Sequence, residues 1–125
     1  MRCVVVDTST FVDYFRFGKG EIVPYLALND AIVLSMVVRI ELLKGARRSD
    51  RKALLRFCAG LRQCDDFPSV KTVEAVLFRL HGRGLNLGFA DLLILADAIR
   101  HNCSLLTHDR ALRTGAGVLK VPLIE

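Results

Sequence analysis

A short, uninterrupted apolar run near the start of the chain constrains the fold more than any other feature. Cys3–Val6 is rich in β-branched residues and contains no polar position, which is the pattern of a strand buried on both faces. Strands of this kind lie in parallel sheets that are covered by helices on both sides. The run stops at Asp7, and the polar residues there can cap a helix over about Thr10–Phe17.

Segments typical of strands and of helices alternate through the rest of the chain. Further strands are predicted at Ala31–Leu34, Gln63–Phe67, Leu105–Leu106 and Val118–Ile124. Helices are predicted from Ser35 to Gly45, from Ser49 to about Ala59, from Ser69 or Thr72 to Gly82, and over Asp91–Arg100. This alternation predicts a three-layer α/β sandwich, in which helices flank a mostly parallel central sheet. Since 125 residues suffice for one ordinary domain, residues 1–125 are expected to form a single domain.

The composition excludes several classes of protein. With 52% hydrophobic and 25% charged residues the chain can bury a core, which excludes a disordered protein and a coiled coil. The longest stretches without a formal charge have eight residues, far fewer than the roughly 20 that cross a bilayer, so no membrane partner is expected. The apolar run that follows Arg2 is too short for a secretory signal, and we expect a cytoplasmic protein. The net charge of +5 is compatible with nucleic-acid binding.

The cysteines give no recognisable framework. Cys3, Cys58, Cys64 and Cys103 lie far apart, without a CxxC pair and without a histidine at zinc-finger spacing. The sequence therefore predicts neither a zinc site nor a disulfide, and the four residues are interpreted as small buried hydrophobic side chains.

Four acidic residues occupy unusual positions in this pattern. Asp7 and Asp109 each directly follow a predicted strand, and the carboxyl ends of parallel strands form the edge at which ligands bind. Asp91 lies in the first turn of its helix, near the same rim. Glu41 differs from these because nearly all of its neighbours in Met36–Leu43 are apolar, and an acid in such surroundings needs a reason.

Gathered at one edge, four carboxylates would repel one another unless they shared a cation. Mg²⁺ or Mn²⁺ is the natural occupant because hard divalent ions prefer oxygen ligands, and such a site suits phosphodiester hydrolysis. Each acid also has a structural interpretation: Asp7 and Asp109 as helix caps, Asp91 as a first-turn acid, and Glu41 as the partner of Lys44. Both interpretations stay open, although the four acids together favour the metal site.

Three motifs surround these acids. Val4–Asp13 combines a strand, an acid and a Thr-Ser turn; Glu41 lies within Arg39–Leu42; and Gly84–Asp109 contains GFADLLILA followed by LLTHD. In order and spacing the motifs resemble the PIN-domain ribonucleases, and most closely the VapC-type toxins of prokaryotic toxin–antitoxin pairs. The resemblance spans nearly the whole chain and implies a PIN-like fold.

The resemblance also implies a function and a set of site residues. Asp7, Glu41, Asp91 and Asp109 would be catalytic and would hold Mg²⁺ or Mn²⁺, while Thr8, Ser9 and Thr107 would shape the pocket through hydrogen bonds. The implied activity is endonucleolytic cleavage of single-stranded or loop RNA, which leaves a 5′-phosphate and a 3′-hydroxyl. The implied partners are the RNA substrate, a second copy in a homodimer, and a small antitoxin whose C-terminal segment enters the acidic groove. Many relatives have a further acid two residues after the last Asp, whereas this chain has Ala111, which removes a potential fifth ligand.

Other polar residues have less specific interpretations. Asp97 follows Asp91 by six residues, a rotation of about 240° on a helix, and is expected to point away from the metal. Asp13 is expected on the exposed side of the first helix, and His108 could meet phosphate or simply be tolerated beside Asp109. The basic face Arg47–Arg56 could follow an RNA backbone, although a solvated face is the simpler interpretation.

Two other functions remain open on the sequence. A small aspartate-dependent phosphatase would use Asp7 as its nucleophile, but such enzymes have a second acid two residues later, where this chain has Ser9. A PIN-like RNA-binding or assembly module without catalysis would share the fold and hold no metal, and the presence of all four acids argues against it.

Overall fold

In the computed structural model, residues 3–18 and 21–124 are described, and they form helices packed around short parallel strands. The strands are β1 (Val4–Val6), β2 (Val33–Leu34), β3 (Arg62–Gln63) and β4 (Ser104–Leu106). The α-helices are α1 (Thr8–Phe17), α2 (Ile22–Leu28), α3 (Met36–Gly45), α4 (Arg51–Ala59), α5 (Val70–His81), α6 (Phe89–Arg100) and α7 (Arg110–Leu119), and a 3₁₀ turn at Arg48–Asp50 precedes α4.

The strand pairings among the described residues are all parallel, as predicted. β1 pairs with β4, with Val5 opposite Leu105, and β2 pairs with β3. A bridge between Val4 and Ile32 joins the two pairs, and Leu105 has a second bridge to Leu123 on its other side. The strand order is therefore β3, β2, β1, β4, and the carboxyl ends of all four strands face one edge.

The helices around this sheet form two groups, as their contacts with one another show. In one group α3 packs against both α1 and α4, and in the other α5, α6 and α7 pack against one another; α3 also contacts α6. The side chains of β1 are buried, as expected for a strand with helices on both faces. These layers confirm the predicted α/β sandwich. No helix in the described part of the chain combines the length and apolar character needed to span a bilayer.

The end of the chain differs from the prediction. The segment Val118–Ile124 was expected to be a strand, but α7 continues to Leu119, and Leu123 forms only the isolated bridge. The buried residues Leu112, Ala116 and Leu119 recur at helical spacing, so α7 has one apolar face. Glycines within α7 hide this periodicity in the sequence, because they suggest a helix that has already ended.

The interpretation of the cysteines was wrong for one pair. Cys3 and Cys103 form a disulfide, with Cα atoms 4.8 Å apart. They immediately precede β1 and β4, which are paired in the sheet, so the strand register brings them together. A sequence separation of 100 residues gives no indication of this. Cys58 and Cys64 are free and buried, as predicted.

Candidate functional site

Asp7 lies at the carboxyl end of β1, and hydrogen bonds fix both of its oxygens. Its Oδ1 accepts from the backbone N–H of Thr10 at 2.9 Å, which makes Asp7 the N-cap of α1. Its Oδ2 accepts from the Ser9 hydroxyl at 3.1 Å and from the Thr107 hydroxyl at 2.5 Å. Asp7 therefore does cap a helix, but it is also only 3% exposed and is held from across the sheet.

The fully buried Thr107 connects the carboxyl ends of β1 and β4. While its hydroxyl donates to Asp7, it accepts from the backbone N–H of Asp109 at 3.0 Å. Asp109 in turn caps α7, because its Oδ1 accepts from the N–H of Leu112 at 2.9 Å. One hydroxyl thus sets the relative positions of two of the predicted acids.

Glu41 turns towards the same edge. It is half-buried on α3, and its Oε1 accepts a hydrogen bond of 2.6 Å from the hydroxyl of Thr8, the residue after Asp7. The side chain is thus directed to the start of α1 rather than to Lys44. Its position among apolar neighbours follows from the packing of α3 against α1.

Asp91 completes the group from the first turn of α6. Burial raises the pKa of its carboxyl above the usual value, and the negative charges of Asp109, Asp7 and Glu41 raise that pKa further. Since each of the other three charges acts on Asp91, the structure brings the four predicted acids together on one side of the sheet.

The donor set of this acid quartet (Asp7, Glu41, Asp91 and Asp109) fits a hard divalent cation. Every side chain offers carboxylate oxygen, and positive charge would relieve the repulsion that raises the pKa of Asp91. Among the described residues, the group whose potential ligand atoms all lie within 4.8 Å of one another is Cys64, Asp97 and His101, so the oxygens of the quartet are spaced more widely than that. Wider spacing suits Mg²⁺, which usually keeps several waters between itself and its ligands.

The remaining candidates take the following positions. Asp97 is buried and paired with Arg100, away from the quartet, as predicted. Asp13 is half-buried and His108 is exposed. The cations of the Arg47–Arg56 face, Arg47, Arg48, Arg51, Lys52 and Arg56, are all exposed.

An apolar groove beside the quartet was not predicted. It has a volume of about 830 Å³ and runs between α1, α3 and α4, with Phe15, Leu42 and Phe57 among its lining residues. Glu41 lines the groove as well, so the groove and the quartet share one side chain. Among the aromatic residues of α1, Phe11 is in the core, whereas Phe15 remains 42% exposed.

Arg113 was also missed in the sequence. Its Nη1 donates to the carbonyl of Thr107 at 3.2 Å, which places a guanidinium beside the residue that links Asp7 and Asp109. Arg113 lies beside Thr107 because α7 continues from Arg110 to Leu119, which the predicted strand at Val118–Ile124 did not anticipate.

Comparisons with known proteins agree with this architecture. The family model described as PIN domain matches residues 4–117. Chains in three crystal structures share the fold: VapBC2 from Rickettsia felis bound to a DNA fragment from their promoter (TM-score 0.75, 22% identity, 98% of this chain and 97% of that chain), DNA-bound VapBC from Salmonella typhimurium (0.73, 20%, 100% and 98%), and FitAcB from Neisseria gonorrhoeae (0.71, 19%, 98% and 96%). No curated protein sequence is significantly similar to the chain.

Proposed function

The chain belongs to the PIN domain family, and from this premise we propose that it is a metal-dependent endoribonuclease that acts as the toxin of a VapBC-type toxin–antitoxin pair. The observation that carries the proposal is the convergence of carboxylates at one edge of the sheet, where Thr8 holds Glu41 and Thr107 links Asp7 to Asp109; burial and the charges of Asp109, Asp7 and Glu41 raise the pKa of Asp91 beside them. Such a concentration of like charge is stable and useful when a cation is shared among its members.

In this proposal Asp7, Glu41, Asp91 and Asp109 hold Mg²⁺ or Mn²⁺. When bound, such an ion polarises the phosphate and makes a water molecule a stronger nucleophile at neutral pH. The protein's own part is to keep the carboxylates oriented and charged. Thr8 holds Glu41, while Ser9 and Thr107 hold Asp7, so that these two acids are aligned before the substrate arrives.

RNA is the proposed substrate. The exposed cations of the Arg47–Arg56 face lie on α4 and on the turn before it, and Arg47 also lines the groove next to Glu41. Phosphates bound along this face would lead a single strand towards the quartet. The same cations would contribute the salt dependence that is typical of backbone contacts.

The groove between α1, α3 and α4 is the proposed binding site of an antitoxin segment. Its apolar lining suits the apolar side chains of a partner peptide, and Glu41 at the shared end suits a basic side chain. Structures with this fold include VapBC complexes from Rickettsia felis and Salmonella typhimurium. A partner encoded by an adjacent short reading frame should therefore co-purify with this chain.

We also propose a cytoplasmic homodimer. The packed helices α5 and α6 expose the large apolar side chains Phe78 (63%) and Phe89 (72%), which a second copy could cover. Sedimentation of the purified chain would test this part of the proposal: a species of one chain mass at micromolar concentration would contradict it.

The nuclease proposal is tested by removing one negative charge at a time from the quartet. Asp7→Asn and Asp91→Asn should each lower the rate of RNA cleavage at least about 1000-fold, since metal-assisted stabilisation of the transition state is worth several kcal/mol. Asn keeps the shape of Asp and the acceptor atom that caps α1. The measurement is cleavage of a labelled single-stranded RNA in Mg²⁺ or Mn²⁺, with EDTA as the metal-free comparison.

The matched control is Asp65→Asn, because Asp65 is an exposed acid outside the quartet. This variant should cleave at the wild-type rate, and circular dichroism should show that all three variants are folded. Turnover at the wild-type rate by both quartet variants, or full activity in EDTA, would refute the metal role. Absence of any carboxylate-dependent Mg²⁺ or Mn²⁺ binding in calorimetry would favour the RNA-binding module instead.

A further inference from the structure

A second group of potential ligands lies at the carboxyl-terminal end of α6, away from the quartet. Cys64 directly follows β3, Asp97 lies near the carboxyl-terminal end of α6, and His101 caps that end. One donor atom from each residue lies within 4.8 Å of the other two, and the Cys64 sulfur is 3.2 Å from Nε2 of His101. Asp97 and His101 follow Asp91 by six and ten residues, which places them about 9 and 15 Å farther along the helix axis.

Asp97 is the unusual member of this group. The residue is fully buried, and its Oδ1 accepts from Nε of Arg100 at 2.8 Å. Its Oδ2 is also buried and has no hydrogen-bond partner among the described residues. A carboxylate oxygen in this position is costly, because burial removes its hydration and nothing replaces it.

Arg100 satisfies only half of that carboxylate. Its other donors are engaged elsewhere: Nη1 binds Oδ1 of Asp66 at 2.9 Å and Nη2 binds the Asp66 carbonyl at 2.7 Å. The ion pair therefore accounts for Oδ1 of Asp97 and leaves Oδ2 without a partner, in a carboxylate that lies beside a thiol and an imidazole.

We propose that Cys64, Asp97 and His101 form a second metal site, which binds Zn²⁺ with a water molecule as the fourth ligand. Sulfur, nitrogen and carboxylate oxygen are the three donor types of protein-bound zinc, whereas a thiol is a poor ligand for Mg²⁺. Ligands of tetrahedral zinc lie about 3.3 to 3.7 Å from one another. The sulfur and Nε2 are already at about that separation, and the largest separation in the group, 4.8 Å, requires a closure of roughly 1 Å.

The state of Cys64 is compatible with this role. Burial raises the pKa of its thiol to about 11, and the negative charge of Asp97 contributes to the increase. Zinc binding therefore displaces a proton from the sulfur, as is usual for cysteine ligands. The exposed His101 provides the entry side of the site.

The site would act as a cross-link rather than as a catalytic centre. It would connect the segment after β3, the edge strand, to the end of α6, whose first turn carries Asp91. Zinc bound there should stabilise the folded chain by mass action, without any contact with RNA.

The test uses Co²⁺ as a spectroscopic probe of the metal-depleted full chain with the Cys3–Cys103 disulfide intact, so that only Cys58 and Cys64 are free thiols. A thiolate-to-cobalt charge-transfer band should appear at one equivalent and be removed by Zn²⁺. Zn²⁺ should also raise the melting temperature. Cys64→Ser should abolish the band, and His101→Ala, an exposed position that does not endanger folding, should weaken binding by more than about 100-fold.

Two controls separate this proposal from the nuclease proposal. Cys58→Ser and Asp91→Asn should both keep the charge-transfer band, because neither residue belongs to the group. His101→Ala should still cleave RNA in Mg²⁺. Absence of the band in the wild type, or an unchanged band in Cys64→Ser, would overturn the second metal site and leave the quartet untouched.

Discussion

In the metal-free protein, the negative charge of Asp91 lowers the stability of the folded state. Its carboxyl is partly buried and faces three further carboxylates, so its pKa is raised above the ordinary value of 3.8. A raised pKa means that the folded state binds a proton more tightly than the unfolded state does. The free energy of unfolding therefore falls as the pH rises from that ordinary value through the raised one.

Asp91→Asn should remove this penalty. In EDTA at neutral pH the variant is expected to unfold at a higher urea concentration than the wild type, and the advantage should shrink as the pH falls towards the ordinary Asp value. Added Mg²⁺ should reverse the order, because only the wild type retains the full quartet. Urea titrations at several pH values measure the effect, and a less stable variant at neutral pH in EDTA would contradict it.

Among the elements, three helices begin at the site. Asp7 caps α1, Asp109 caps α7, and Asp91 lies in the first turn of α6. The amino-terminal end of each helix carries partial positive charge, which offsets part of the repulsion among the acids. The acids therefore serve as helix caps and as potential ligands at once, and the two interpretations of Asp7 and Asp109 are compatible.

The glycines of α7 offer a matched test of how tightly this helix is packed. A Cβ at Gly117 would meet nothing within 4 Å, whereas a Cβ at Gly115 would lie 3.0 Å from Cδ1 of Leu87 and 3.3 Å from Cδ1 of Leu95. Gly117→Ala should raise the free energy of unfolding by about 0.5 to 1 kcal/mol, the usual gain for a helix interior. Gly115→Ala should gain less or lose stability, because α7 must shift. Equal gains in thermal unfolding of both variants would contradict this packing.

At the scale of the whole molecule, the disulfide is a covalent link between distant parts of the sequence. It joins residues 100 positions apart in sequence and closes the amino ends of two neighbouring strands, β1 and β4. Cytoplasmic proteins rarely keep such bonds, so a cytoplasmic chain would carry Cys3 and Cys103 as adjacent thiols that close on oxidation. Stability is therefore expected to depend on the redox conditions.

Removing the bond should be clearly measurable. For a closed loop of about 100 residues, chain entropy predicts a stabilisation of up to about 4.7 kcal/mol. Cys3→Ser/Cys103→Ser should lower the free energy of unfolding by several kcal/mol relative to the oxidised protein. Reductant should bring the wild type close to the double variant and leave that variant unchanged, whereas equal stabilities in all four samples would contradict the prediction.

Local patterns predicted the quartet and the parallel sheet, because these depend on strand ends and helix turns that the sequence marks directly. Asp7 and Asp109 follow apolar runs, and Glu41 stands out among apolar neighbours. The disulfide and the Cys64 group could not be predicted in this way, since their members meet only through strand register and the packing of α6. The groove was missed for the same reason: it exists only where three helices meet.

The two roles proposed for Glu41 restrict which substitutions the protein can tolerate during evolution. One side chain belongs both to the proposed catalytic quartet and to the groove proposed for the antitoxin. If both proposals hold, a substitution there that weakened binding of the antitoxin would also weaken RNA cleavage. Substitutions that weaken binding of the antitoxin and preserve cleavage would have to lie elsewhere along the groove, for example at Phe15 or Phe57, where they leave the carboxylates intact.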